Sequence, residues 1–365
     1  MSKIVISGYY GFANAGDEAM LAAIVKSLRS NDDTVELTVI SGDPQVTAAN
    51  HKVASIHRFN PLEIIPALWG CDLLLSGGGS LLQDVTSRRS LLYYLSVLAL
   101  GRLLSRKVML YAQGIGPIHS TLLRRLTRYV CSHADIITVR DKDSFYELKR
   151  LGIPEEKVEL TADAVLTLPQ ETPERGRELL KKFGVPEDKM LIAFSVRKWQ
   201  EDDRYLLELA KAADLLAAGH NAHVVIMPLQ YPADLPCCRR LQQLMDRKNS
   251  CTVLDTDCNT EQFLSLTGCF DLLIGMRLHA LIFAAVMDIP FVAVSYDPKV
   301  DGFVKEVAGI SAGRVESLQA EAVAAAADRA LTCKNGSRRL LDGLRAKSML
   351  NTREALSLLK QDSVK

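Results

Sequence analysis

Aromatic residues make up only 6% of this 365-residue chain, with two tryptophans among them. A module that merely holds polysaccharide displays several exposed aromatics for sugar stacking, so the scarcity argues against one. Charge of one sign is also lacking. Lys and Arg total 44 against 43 Asp and Glu, a net +1, whereas nucleic-acid-binding domains are strongly basic. No apolar run is long enough to span a bilayer. The longest, Leu91 to Leu104, has about 14 residues and leads into Arg106 and Lys107, with Arg102 inside it; it reads as a buried or interfacial helix. Residues 4–10 are too short and too polar at their end for the core of a signal peptide, and no leader is expected. The eight cysteines (71, 131, 237, 238, 251, 258, 269 and 333) form no C-x-x-C pair and have no histidine at zinc-ligand spacing. Cys71, Cys131 and Cys269 lie beside apolar segments and read as small core residues. This usage fits a reducing cytoplasm without structural disulfides. Repeats and low-complexity tracts are absent.

What is present is ordinary in composition, 48% hydrophobic and 24% charged, and regular in pattern. The length predicts about two domains at roughly 150 residues each. Strands are predicted at 3–7, 36–41, 73–76, 108–113 and 136–139, with helices starting near Asp17 and at about 62–69, 89–105, 120–132 and 142–151. Pro169, Pro173 and Pro186 then mark a charged linker, 167–190, leading into a helix. The same grammar returns with strands at 191–196, 222–227, 252–254, 272–274 and 291–295 and an alanine-rich helix near 316–332. Such alternation predicts parallel sheets covered on both faces. The expected fold is α/β: two Rossmann-like domains facing one another across a cleft, 1–170 and 171–336. A C-terminal helix, 337–365, is expected to cross back onto the first.

The stretch Gly275-Met276-Arg277-Leu278-His279-Ala280 follows the predicted strand 272–274 and precedes an apolar helical pattern. Open α/β sheets bind ligands at such strand-to-helix turns. Arg277 offers a fork of donors for carboxylate or phosphate, and His279 a proton that can move near neutral pH. Together they suggest an anionic substrate that must be protonated.

The first turn, Gly8 to Gly16, fits neither the P-loop nor the dinucleotide fingerprint. Its helix opens with Asp17 and Glu18, which work against a phosphate there. Either the glycines shape a tight turn that Asp17 caps, or Asn14, Asp17, Tyr9 and Tyr10 bind sugar hydroxyls. Gly77-Gly78-Gly79 and Gln113-Gly114-Ile115-Gly116 follow adjacent predicted strands, which suggests one lined cleft. Arg140 ends another strand and is read either as an anion-binding group or as an ion-pair partner of Asp141 or Asp143. Ser195-Val196-Arg197 has the same ambiguity, and Lys299, in Ser295-Tyr296-Asp297-Pro298-Lys299, could reach the crevice of Arg277.

Seven segments, in order over about residues 3–310, resemble the polysaccharide pyruvyl transferase family, most closely its CsaB-type branch. They are G-Y-Y-G-F-A-N-A-G-D-E-A from Gly8, S-G-G-G-S-L-L-Q-D from Ser76, Q-G-I-G-P from Gln113, R-D at Arg140, S-V-R at Ser195, M-R-L-H-A at Met276 and S-Y-D-P-K-V at Ser295. One departure is Ala164, where the pattern has proline after Asp163. The resemblance implies a GT-B-like fold. It also implies transfer of pyruvate from phosphoenolpyruvate to a β-N-acetylmannosamine residue of a lipid-linked secondary cell-wall polymer precursor, as a 4,6-ketal that serves S-layer anchoring. No cofactor or metal is expected.

On that footing the first domain is the acceptor side and the second the donor side. Arg277, Arg140, Leu278 and Ser295 would bind the donor, and His279 would be the general acid, with Lys299 and Arg140 assisting. Asn14, Asp17, Gly78, Gly79 and Gln113 would bind the acceptor, with Asp17 the candidate base. The competing enzyme is a nucleotide-sugar GT-B glycosyltransferase using Asp297 or Asp301 to hold a ribose. Arg124, Arg125 and Arg128, near the 91–104 stretch with Arg102, Arg106 and Lys107, suggest either peripheral contact with the cytoplasmic membrane face or a solvated helix face.

Overall fold

In a computed structural model, which describes residues 1–333 and 338–360, the chain divides into two compact units. The expected boundary at 336–337 and the last residues of the C-terminal segment lie outside the described residues. Unit 1 comprises Met1–Phe12, Asp17–Leu168 and the chain from Gly343 onward; unit 2 comprises Ala13–Gly16 and Pro169–Asp342.

Unit 1 holds strands β1 (Lys3–Ser7), β2 (Glu36–Ser41), β3 (Ala54–His57), β4 (Leu73–Ser76), β5 (Gly79–Leu82), β6 (Lys107–Ile115), β7 (Ile136–Val139) and β8 (Val158–Leu160). Helices α1 (Ala15–Asn31), α2 (Pro44–His51), α3 (Pro61–Trp69), α4 (Arg88–Leu104), α5 (Thr121–Ser132) and α6 (Lys142–Leu151) connect them. The strands are parallel in the order β3-β2-β1-β4-β6-β7-β8, with β5 pairing β6. Leu73-Leu74-Leu75-Ser76 is buried at every position. That loss of alternation is what a sheet covered on both faces requires. Right-handed crossovers put α1 and α2 on one face and α3 to α6 on the other, where Ile64, Leu68, Leu91, Leu95, Leu98 and Leu123 join one core with the strands. The helices start where side chains cap them: Ser87 accepts from Ser90 N (3.2 Å) and Asp141 from Ser144 N (2.7 Å).

Unit 2 begins its regular structure with α7 (Glu174–Lys182). It continues with β9 (Met190–Ser195), α8 (Arg204–Gly219), β10 (Ala222–Ile226), α9 (Leu235–Leu244), β11 (Cys251–Val253) and α10 (Thr260–Thr267). Then come β12 (Leu272–Gly275), α11 (Leu278–Val286), β13 (Phe291–Ser295), α12 (Pro298–Glu306), β14 (Ile310–Arg314) and α13 (Ala320–Thr332). Its parallel sheet runs β11-β10-β9-β12-β13-β14, the doubly wound order of a Rossmann sheet. The last helix, α14 (Arg338–Lys360), belongs to unit 1 from Gly343 onward. Buried polar contacts tie it there: Thr352 Oγ1 to Tyr111 Oη (2.7 Å), Asn351 Oδ1 to Thr161 Oγ1 (2.8 Å) and Ser348 Oγ to the Asp163 carbonyl (2.8 Å).

The predicted strands are all present to within a residue or two. Four more, β3, β5, β8 and β14, were not predicted; each is short and either polar, glycine-led or at a sheet edge. No helix among the described residues is long and apolar enough to cross a membrane.

Candidate active site

Each sheet has a topological switch point, where neighbouring strands send their connections to opposite faces and leave a crevice at their carboxyl ends. In unit 1 it lies between β1 and β4; in unit 2 it lies between β9 and β12. Backbone continues the pairing past the strands: Gly77 N donates to Ser7 O (2.8 Å) and Met276 N to Ser195 O (2.9 Å). The Ser7 and Ser195 hydroxyls are buried at these two points with no hydrogen-bond partner among the described residues. Buried polar atoms are rarely left so.

At the unit 1 crevice Asp17, Gly78, Gly79, Ser80 and Arg140 come together. Gly79 has φ +95°, and a Cβ there would sit 3.0 Å from Asp17 Oδ1, so only glycine allows the carboxylate this close to the loop. Arg140 is 8% exposed. Its guanidinium donates to Asp163 Oδ2 (2.6 Å) and Ser80 Oγ (3.1 Å). Burial disfavours its charge, yet the carboxylates of Asp163 and Asp141 outweigh that and raise its pKa. Arg140 is therefore a buried cation whose charge is balanced by carboxylates within unit 1. Asp163 also accepts from Val165 N (3.0 Å), which closes the turn where the family pattern has proline.

Two acceptor candidates change role. Gln113 is fully buried, and its amide nitrogen donates to Ser76 O (3.0 Å) and Gly77 O (2.9 Å), so it shapes the glycine run from beneath. Tyr10 is buried in the space left by Gly8 and Gly77, and burial, then Asp17 and Glu18, push its pKa well above the ordinary tyrosine value. It is a core phenol and not a sugar contact. Tyr9 stacks on Phe12, ring centroids 4.3 Å apart. Glu18 is occupied as well, accepting from Gly11 N (2.8 Å) and pairing with His51 Nε2 (3.1 Å).

The unit 2 crevice is built around β12 and α11. Arg277 is the N-cap residue of α11, whose first turn carries no acidic residue, so the helix end is left positive. Arg277 donates to Asp234 Oδ1, an almost fully buried carboxylate, and weakly to Gln230 Oε1 (3.4 Å). Asp234 Oδ2 accepts from Gln230 N (2.9 Å), which fixes that loop beneath the guanidinium. Asn14 joins it through an antiparallel bridge to Gln230, flanked by Ala15 N to Leu229 O (2.8 Å) and Tyr231 N to Ala13 O (3.1 Å). Asn14, not Asp17, caps α1: its Oδ1 accepts from Gly16 N at 3.1 Å. Gln230 and Asp234 were missed by the sequence reading; the only cue was their place just after a predicted strand.

Ser295 is the buried last residue of the adjacent strand β13, and Lys299 is half-buried in the first turn of α12. Leu278 opens α11 and is half-buried. Arg197 donates to Tyr296 Oη (2.9 Å) and lies over that ring (4.9 Å). The carboxylates that a ribose-binding reading would use are engaged: Asp297 caps α12 by accepting from Lys299 N (2.9 Å), and Asp301 pairs with Arg314 (3.3 Å).

His279 is half-buried, and Gly16 lies directly against its ring. A Cβ at Gly16 would fall 2.5 Å from His279 Cγ and closer still to Nδ1. Gly16→Ala is expected to push the imidazole aside. Because about 1 Å of misplacement can cost on the order of 10²-fold in rate, turnover should drop on that scale while the melting temperature moves little. Steady-state kinetics beside a thermal melt checks this, and unchanged turnover would separate Gly16 from the chemistry.

The profile of the polysaccharide pyruvyl transferase family matches residues 14–298. The chain belongs to that family. Pyruvate transfer to a polysaccharide is accordingly its activity. The matched span contains Asn14, Asp17, Gly78, Gly79, Gln113, Arg140, Arg277, Leu278, His279 and Ser295, and ends one position before Lys299. The amylovoran biosynthesis protein AmsJ of Erwinia amylovora is 22% identical over 361 residues, covering 84% of this chain and 86% of that one. Among solved structures, the UDP-GlcNAc 2-epimerase of Methanocaldococcus jannaschii aligns with TM-score 0.70 at 12% identity, over 98% of this chain and all of that one. The S. aureus MnaA–UDP structure gives 0.64 at 14%, over 98% and 95%. At such identities these two show the fold, which is GT-B-like. Among the described residues of this pyruvyl transferase no group of three His, Cys, Asp or Glu is placed to hold a metal.

Proposed function

We propose that this pyruvyl transferase takes pyruvate from phosphoenolpyruvate and attaches it as a 4,6-ketal to a β-N-acetylmannosamine residue of a lipid-linked cell-wall polysaccharide precursor, releasing phosphate. The ketal's carboxylate would supply the negative charge that S-layer anchoring uses. The observation that carries the donor half is the β12–α11 turn: Arg277 on its buried carboxylate, the open positive end of α11 and His279 one residue further on. A donor with both a carboxylate and a phosphate suits a fork-shaped cation and a helix N-terminus. The acceptor's identity is supported by the resemblance of the seven motifs alone.

In the proposed sequence His279 protonates the methylene carbon of phosphoenolpyruvate, making it a methyl group and leaving C2 electron-poor. One sugar hydroxyl adds to C2 and gives up its proton, for which Asp17 is the candidate base. The C2–O bond to phosphate then breaks, with the electron pair leaving on phosphate, which takes up the first hydroxyl's proton and departs as hydrogen phosphate. The second hydroxyl closes the ring, and its proton balances the one His279 spent. Lys299 would neutralise the departing phosphate.

The test is phosphate release from phosphoenolpyruvate with and without a β-N-acetylmannosaminyl lipid-diphosphate, followed by mass spectrometry. Acceptor-dependent release and a product heavier by one pyruvyl ketal are expected. A folded enzyme that releases nothing with a verified acceptor would overturn the donor or acceptor assignment; replacing the acceptor by other polysaccharide precursors tells which.

A further inference from the structure

The helices on one face of unit 1 have an apolar side too many. α3 buries Ile64 and Leu68 in the core, yet Leu62 (84% exposed), Ile65 and Trp69 (74% exposed), at positions i, i+3 and i+7, form a second stripe pointing outward. α4 packs on α3 and repeats the arrangement. Leu91, Leu95 and Leu98 face the core, while Leu92 and Leu103 (81% exposed), three turns apart, face out. α5, packed on α4, buries Leu123 and exposes Leu122, Leu126 and Tyr129 at i, i+4 and i+7. A helix apolar on both sides is normally buried on both. Three such stripes side by side make one continuous surface of the kind soluble proteins avoid unless something covers it.

The charge on these helices says what covers it. They carry six arginines and a single acidic residue, Glu63, although the whole chain has a net charge of only +1. Two of the six are already paired: Arg124 with Glu147 (2.6 Å) and Arg102 with Asp135 (3.7 Å). Arg106 and Lys107, which the sequence reading grouped with them, sit on Asp72 (3.3 Å) and Asp135 (3.5 Å). Arg88, Arg89, Arg125 and Arg128 make no ion pair among the described residues. They stand exposed around the apolar stripes, at the start of α4 and along α5.

We propose that the outer face of α3, α4 and α5 docks on an anionic lipid bilayer. Trp69 and the leucines would enter the interface, where an amphipathic ring is favoured, and the four unpaired arginines would meet lipid phosphates. The geometry is that of an embedded amphipathic surface, since none of the helices can cross a membrane. The inference stands apart from the catalytic reading, because docking needs neither donor nor acceptor.

The experiment is sedimentation of the full chain with phosphatidylcholine vesicles, with and without phosphatidylglycerol, at low and high salt. Binding is expected to anionic vesicles and to weaken with salt. Arg125→Gln and Arg128→Gln should each lower the partition coefficient about fivefold at low salt. Leu62→Ser combined with Trp69→Ser should lower it at least about tenfold. All four positions are exposed, so the variants should melt like the parent. Failure of the folded chain to sediment with anionic vesicles would overturn the proposal, as would binding that all variants share. So would a lipid-free dimer that Trp69→Ser dissociates, which would assign the face to a second copy of the chain.

Discussion

Turnover of the His279→Ala variant is expected to fall by about 10²–10⁴-fold, with affinity for phosphoenolpyruvate nearly unchanged. The reasoning separates binding from protonation. Arg277 stays on Asp234, and the end of α11 stays open, so the groups proposed to hold the anion survive the substitution. What is lost is the only imidazole of the turn, the proposed proton source for the methylene carbon. A donor titration beside single-turnover phosphate release measures the two effects independently. Near-normal release would remove His279 from the proton step. A matching loss of donor affinity would instead make it a binding residue. Gly16→Ala should resemble a weak form of the same variant, because it displaces the ring without removing it.

How far the sequence exposes this site depends on whether a feature is local. Strands such as Leu73–Ser76 and helices such as Arg88–Leu104 announce themselves by apolar runs and caps, and the glycine turns sit where those runs stop. The doubly wound grammar of both sheets follows from that alternation. β5 is harder to read, since Gly79 opens it and glycine is a poor strand former. Contacts between distant segments were invisible. Asp234 meets Arg277 from 43 positions away, and Arg140 meets Asp163 from 23. Nothing near Arg140 in sequence signals that its charge is already spent; Asp141 and Asp143 were the obvious partners, and the short pair is made elsewhere. Tyr10 misleads for a related reason. A tyrosine in a glycine-rich turn suggests a ligand contact, yet Gly8 and Gly77 leave room for its ring to turn inward and be buried.

Arg140→Ala is expected to unfold unit 1 more readily, by about 3–5 kcal/mol, before it says anything about catalysis. The guanidinium and the Asp163 carboxylate are both nearly inaccessible, at 6% and 7% side-chain exposure. Removing one partner strands the other's charge in a low-dielectric site. The pair also stands at the end of a chain of contacts: Ser348 on α14 holds the Asp163 carbonyl, and Arg140 in turn reaches Ser80 beside the glycine run. Chemical denaturation of Arg140→Ala should therefore show the loss directly. The double variant Arg140→Met with Asp163→Leu should recover most of it, since replacing a buried pair by apolar groups of similar volume is often neutral. Activity of that stable double variant then decides the residue's role. If turnover returns with stability, the pair serves the fold alone; if turnover stays low while the protein melts like the parent, the pair also serves the site, by holding Ser80 beside the glycine run or by taking part in the reaction.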